Sequence, residues 1–187
     1  MAPILAQGHF PEPLTLKENP MRSLIAIALI AFALPAAAFA GEFKLGTEKP
    51  LATITMPEDW ETNEFDNGVE GTSPDGLYVA AEVVQAADAK GATEEALKYL
   101  ISQGVTIGEV TAESKDTDTL EVNGMPYAFV DWSGKDKEGD AAVELIIYDM
   151  TKQNGNFLIL TSWGPPALQK AEMDSYQSVL KSVMPIQ

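Results

Sequence analysis

The chain contains no cysteine at all, and its single histidine, His9, lies in the first forty residues. Residues 1–40 also hold the only arginine, Arg22, together with Lys17, Glu12 and Glu18; residues 41–187 keep 10 Lys against 26 acids and no His, Cys or Arg. Each absence excludes a chemistry. Without Cys there is no thiolate nucleophile, disulfide or thiolate-held zinc or iron–sulfur centre. Without His there is no Ser-His-Asp triad, histidine metal ligand or group titrating near neutrality. Without Arg there is no planar fork to grip phosphate or carboxylate. A net charge of −16 repels nucleic acid and anionic lipid alike. Carboxylates, Lys, Ser, Thr and Tyr remain.

What is present begins with an export signature. Met21-Arg22 opens onto an apolar run from Ser23 to Leu34, then Pro35 and Ala36-Ala37-Ala38-Phe39-Ala40. A basic start, a short apolar stretch, a helix breaker and small residues at Ala38 and Ala40 make a secretory signal peptide, with cleavage expected between Ala40 and Gly41. The run is too short for the ~20 residues that cross a bilayer, so no membrane span is expected after removal. Residues 1–20, with Pro3, Pro11, Pro13 and Pro20, lack periodicity. They read as a start placed too early or as a disordered extension. The mature protein is expected in the periplasm or outside the cell.

Residues 41–187 read as one domain without an internal repeat or linker, and a chain with 45% apolar and 21% charged residues overall suits a packed core. Asn67-Gly68, Asp75-Gly76, Asn123-Gly124 and Asn154-Gly155 punctuate it with dipeptides that tolerate tight hairpins. Ala52, Ile54 and Met56 alternate with threonines up to Pro57, and 77–84, 127–132, 142–148 and 157–161 are β-branched or aromatic runs. Two helices are expected. Thr93 would cap the first, with Leu97, Leu100 and Ile101 as its apolar face and Gly104 at its end. The second would start near Pro166, bury Tyr176, Val179, Leu180 and Val183, and close at Pro185. The fold class is α+β, in the order β-β-β-α-β-β-β-β-α.

Met56-Pro57-Glu58-Asp59-Trp60, Thr72-Ser73-Pro74-Asp75-Gly76 and the late strand pair before the last helix resemble segments of PsbP-like (Mog/PsbP-type) domains across residues 50–185. The resemblance implies an α-β-α sandwich around a largely antiparallel sheet of six to seven strands and two main helices. It also implies an accessory or partner-binding role, as in a photosystem II extrinsic subunit or a Ran-binding nuclear factor. No catalytic residue set comes with that family, and none is carried over.

Several local patterns compete for function. Ser178-Val179-Leu180-Lys181 matches S-x-x-K, but the companion strings of penicillin-recognising enzymes are missing and the helical period puts Ser178 and Lys181 on the solvent side. Asp136, Glu138 and Asp140 alternate in a loop, yet an EF-hand would need Gly where Ala141 stands and Glu where Ile147 stands, and Lys135 and Lys137 oppose a cation. A solvated hairpin is the preferred reading, with weak calcium binding as the other; Asp116 and Asp118 read as turn and strand start. Asp131, inside an apolar strand, is either a buried acid of raised pKa or the exposed end of a Tyr127–Phe129–Asp131 face, and the second is preferred. Among Trp60, Trp132 and Trp163, Trp163 beside Gly164-Pro165-Pro166 is expected to be the exposed one and the partner anchor, with Trp60 second.

The function that fits best is an exported, non-enzymatic accessory or partner-binding module, its partner basic or bridged by a cation. A divalent-cation or small cationic-ligand binder is the alternative, and a hydrolase working with carboxylates alone comes last. No cofactor is expected.

Overall fold

The structure, a computed structural model, describes residues 39–115, 120–152, 156–168 and 170–186. Asp116, Asp118 and the Asn154-Gly155 turn lie outside the described residues, as does the run from Ser23 to Leu34.

Five strands precede the first helix: β1 (Phe39–Leu45), β2 (Ala52–Pro57), β3 (Glu61–Phe65), β4 (Gly68–Thr72) and β5 (Tyr78–Gln85). After α1 (Ala89–Ser102) come β6 (Thr106–Glu113), β7 (Glu121–Val122), β8 (Met125–Asp136), β9 (Gly139–Met150) and β10 (Asn156–Gly164). Helix α2 (Lys170–Ser182) and β11 (Met184–Pro185) finish the chain. The α+β class and two helices are as expected, but there are 11 strands among the described residues rather than six or seven. Three of the extra ones are of kinds that periodicity cannot reveal. β7 and β11 have two residues each, and β3 is the polar edge Glu-Thr-Asn-Glu-Phe.

An eight-stranded sheet runs β3-β4-β5-β10-β9-β8-β6, with β7 joined to β8, and a three-stranded sheet runs β1-β2-β11; every pairing is antiparallel. Central β10 is buried from Phe157 to Gly164, which explains its unbroken apolar run. Its side chains still alternate between two cores. Phe157 and Ile159 join Leu145 and the α1 residues Ala92 and Ala96. Leu158 and Leu160 join Ile146, Tyr148, the β2 residues Ile54 and Met56, Tyr176 and Val179 of α2, and Val183 just past its end. The layers are thus α1, the large sheet, then α2 with the small sheet.

The first helix departs from expectation at its start. Asp88, not Thr93, is the N-cap: its Oδ1 accepts from Gly91 N at 2.8 Å, while Thr93 Oγ1 donates to Ala89 O inside the helix. Moving the start five residues earlier turns the buried stripe to Ala92, Ala96 and Leu100, and Ile101 is exposed. The end is as read. Gly104 takes φ +82, its N–H reaches Ile101 O and that of Val105 reaches Leu100 O, closing the helix in a Schellman motif. Helix α2 begins at Lys170 rather than near Pro166, leaving Pro165 and Pro166 in a non-helical segment after the sheet.

The turns also divide. Asn123 (φ 49) and Gly124 (φ 80) form the tight β7–β8 hairpin, and Asn123 Nδ2 donates to the carbonyls of Lys181 and Val183 at the end of α2. Gly68 instead sits within β4 at ordinary φ; a Cβ there would lie 2.1 Å from Ala81 O.

Candidate functional site

The second core leaves one end of the large sheet uncovered. On the face that carries α2, β8 presents Asp131, Ser133 and Lys135, and β9 presents Glu144, Ala142 and Asp140 directly opposite them. Residues two apart on a strand share a face, so these six form the floor of a groove. Two adjoining cavities make it up, of about 280 Å³ at the Glu144 end and about 610 Å³ towards Lys135; Thr111 and Pro166 line both. The late start of α2 creates the wall, because Pro165, Pro166, Leu168 and Met173 line the smaller cavity.

At its inner end Glu144 lies between Asp131 on β8 and Ser162 on β10. Tyr176 reaches down from α2, donates to Glu144 Oε2 and lies 2.9 Å from Ser162 Oγ. Burial pushes the Glu144 carboxyl up; the Asp131 charge adds to this, against the hydrogen bonds from Tyr176 and Ser162. Asp131 is also pushed up by burial, and its Oδ1 is closed off without a hydrogen-bond partner. None of the ion pairs between described residues includes Asp131 or Glu144. Two carboxylates, a hydroxyl and a phenol thus converge at the foot of a hydrocarbon wall. That arrangement can accept hydrogen bonds from a cation.

The residues singled out in the sequence distribute differently. Asp131 shares the Tyr127–Phe129 face, but it is half-buried beside a second acid with its carboxyl raised by burial, so the exposed reading preferred from the sequence gives way to the buried-acid alternative. Trp163 is not exposed. It lies in β10 at 8% exposure, stacked on Tyr78 with ring centroids 4.0 Å apart and edge-on to Tyr99. Those tyrosines donate to Glu70; burial raises that carboxyl, but the bonds from Tyr78, Asn63 and Tyr99 together hold it below its usual value. Burial first, then Glu70 and Glu82, push Tyr99 to about 12. Trp60 is buried at 4%, and Trp132 is the half-exposed indole. The Gly-Pro-Pro segment misled because its exposure begins only at Pro165, one residue after β10 ends.

The acidic hairpin does not gather into a metal centre. Asp136 Oδ1 accepts from the N–H groups of Glu138 and Gly139, closing its own turn, and Asp140 pairs with Lys135 at 3.6 Å. No cluster of three or more acidic, Cys or His ligands exists among the described residues. Ser178 Oγ donates to the Asp174 carbonyl, one turn back on α2. Glu144, Ser162 and Tyr176 were missed by sequence reasoning; the available signal was Glu144 itself, a lone acid within Ala142–Tyr148.

No family model matches the sequence, and no curated protein matches it. Solved structures do. The domain has the Mog/PsbP-type fold, a class of small α+β domains. LpqN of Mycobacterium tuberculosis, described as involved in cell envelope biogenesis, is similar at TM-score 0.52 and 15% identity, over 79% of this chain and 91% of that one. The Ran-binding protein Mog1p of Saccharomyces cerevisiae gives 0.47 at 11% identity over 76% and 94%. PA94 of Pseudomonas aeruginosa, of unknown function, gives 0.44 at 12% over 80% and 99%. Identities this low concern the fold alone. No described helix is long and apolar enough to cross a membrane.

Proposed function

We propose that this chain is an exported, non-enzymatic module that docks a basic protein partner along the β8–β9 groove. The observation that carries the reading is the groove: an open, acid-floored surface walled by Pro165, Pro166, Leu168 and Met173. The net charge of −16 supports a basic partner, since opposite charge speeds encounter and disfavours acidic competitors. The half-exposed Trp132 borders this surface, whereas Trp163 and Trp60 serve the core.

The β1 register supports export with cleavage before Gly41. Pairing with β2 is continuous from Gly41 to Leu45 and irregular only between Phe39 and Gly41, so cleavage costs the small sheet one pair, Phe39↔Pro57. N-terminal sequencing of the exported protein is expected to begin at Gly41, and an intact Met1 or Met21 would overturn it.

A photo-cross-linking residue at exposed Ala142, on the groove floor, tests the docking reading. The expected adduct is a basic protein which, once purified, binds less tightly as salt rises to physiological levels, where the Debye length is ~8 Å. A control cross-linker at exposed Gln103, beyond the end of α1, should give none. Equal adducts from both sites, or salt-independent binding, would sink the reading.

A further inference from the structure

We infer that the inner end of this groove is a subsite for one basic side chain, lysine or arginine, of the docked protein segment, with Asp131 and Glu144 as its acceptors and the wall of Pro166, Leu168 and Met173 along its stem. The inference rests on the docking reading and adds the chemistry of its specific contact. Three features of the structure converge on it.

The first is uncompensated charge. Asp131 and Glu144 are directly opposed across neighbouring strands, and no lysine of the described chain pairs with either. Like charges so placed repel, and partial burial sharpens the repulsion. Residues 41–187 contain no arginine, so the domain itself has no guanidinium to offer. A cation from outside is the natural complement.

The second is the shape of the site. A bare divalent ion needs six or more oxygens, and hydrocarbon does nothing for it. Here two carboxylates and the Ser162 and Tyr176 oxygens occupy the base, while Met173, 40% exposed, and Leu168 flank it with apolar surface. Lysine and arginine have that division, an aliphatic stem ending in several donors, and they bury the stem where the head finds partners. The cavity of about 280 Å³ is of side-chain size.

The third is organisation. Glu144 is held from two sides, by the Tyr176 hydroxyl from α2 and by its place beside Ser162 on β10. Its carboxylate is fixed before any partner arrives, so little ordering is lost on binding.

The test uses N-acetyl-arginine amide, N-acetyl-lysine amide and N-acetyl-citrulline amide as probes, with backbone amide NMR shifts of the purified protein as the readout. Citrulline keeps the shape of arginine and removes its charge. The arginine or lysine probe, or both, should move the amides of Glu144, Ser162 and Gly164, with citrulline silent. Asp131→Asn and Glu144→Gln should each weaken that binding about tenfold, the loss of a charge-assisted pair. Melting curves confirm that both variants are folded, and the partly exposed Asp131 keeps the test open should Glu144→Gln unfold. Citrulline binding as well as arginine, shifts confined to other residues, or unchanged affinity in a folded variant would overturn the subsite. So would calcium chloride binding there more tightly than either cationic probe, which would mark a metal site. The two readings fail separately: cross-linking at Ala142 that persists in Glu144→Gln with unchanged affinity removes the subsite and leaves the groove.

Discussion

Asp131 and Glu144 form a directly opposed pair of acids on the α2 face of β8 and β9, and neither has a lysine partner among the described residues. The fold tolerates this at a cost, which a neutral isostere should recover. Asp131→Asn is expected to raise stability at pH 7 by a few tenths to about 1 kcal/mol, the range for opposed like charges, with solvent screening at the open end of the strand keeping it low. Urea unfolding of the variant checks it. A loss of stability at pH 7 would show that Asp131 has a favourable partner in the native domain.

The same pair sets a pH dependence of unusual sign. Asp131, Glu144 and, on the opposite face, Glu82 all have carboxyl groups raised first by burial; Glu144 also faces Asp131, and Glu82 faces Glu95. Above the ordinary carboxylate values of 3.8 and 4.5, the folded state therefore holds more protons than the unfolded one. Stability then falls as pH rises through that window and grows on mild acidification. Glu70 and Asp149 are lowered and act the other way, losing their contribution as pH drops below the ordinary range. The urea midpoint should rise from pH 7 towards about 5 and fall again below about 4. Glu144→Gln should flatten the upper limb. A monotonic fall from pH 7 downwards would refute the assignment.

Much of this fold was legible because burial is periodic. Ala52, Ile54 and Met56 are each fully buried, as their alternation says, and Tyr176 and Val179 are buried on α2 with Val183 buried just past its end. The Thr93 reading failed for a physical reason: Asp88 and Thr93 are both good caps, and alanines at 92 and 96 give the true stripe little hydrophobic signal. The site was less legible still. Its parts come from β8, β9, β10 and α2, and nothing in a one-dimensional pattern says that Asp131 meets Glu144. Register decides that, and long-range pairing decides register.

Two glycines should separate close approach from backbone conformation. Gly68→Ala places a Cβ 2.1 Å from Ala81 O and 2.9 Å from Glu82 Cα, contacts that backbone movement alone can relieve. It is expected to cost about 3 kcal/mol or more, as overpacking with backbone shifts does. Gly124→Ala meets nothing within 4 Å, but must take φ +80. Its cost should be about 1 kcal/mol, the strain of the left-handed region. Thermal unfolding of both ranks them, and the reverse order would contradict the β4–β5 register.

The last prediction concerns Trp163, whose place in the structure differs most from its place in the sequence. Beside Gly-Pro-Pro it looks like a loop residue, yet it is the penultimate residue of β10, paired with Tyr78 on one side and Val143 on the other. Its indole lies flat on Tyr78, 4.0 Å between centroids at 25°, and packs with Leu100, Val105 and Val143 beneath the end of α1. Losing that much buried aromatic surface costs about 3–5 kcal/mol in protein cores. In a domain of this size the melting temperature should fall by roughly 10 °C. Trp163→Phe keeps a ring against Tyr78 and should lose clearly less, while Trp132→Ala, truncating a half-exposed indole, should fall between the two. The native fluorescence should carry a blue-shifted component that Trp163→Phe diminishes, leaving the share of the buried Trp60. A surface anchor would behave in the opposite way, with Trp163→Ala leaving the melting temperature almost unmoved, and that result would return the indole to the partner-binding surface.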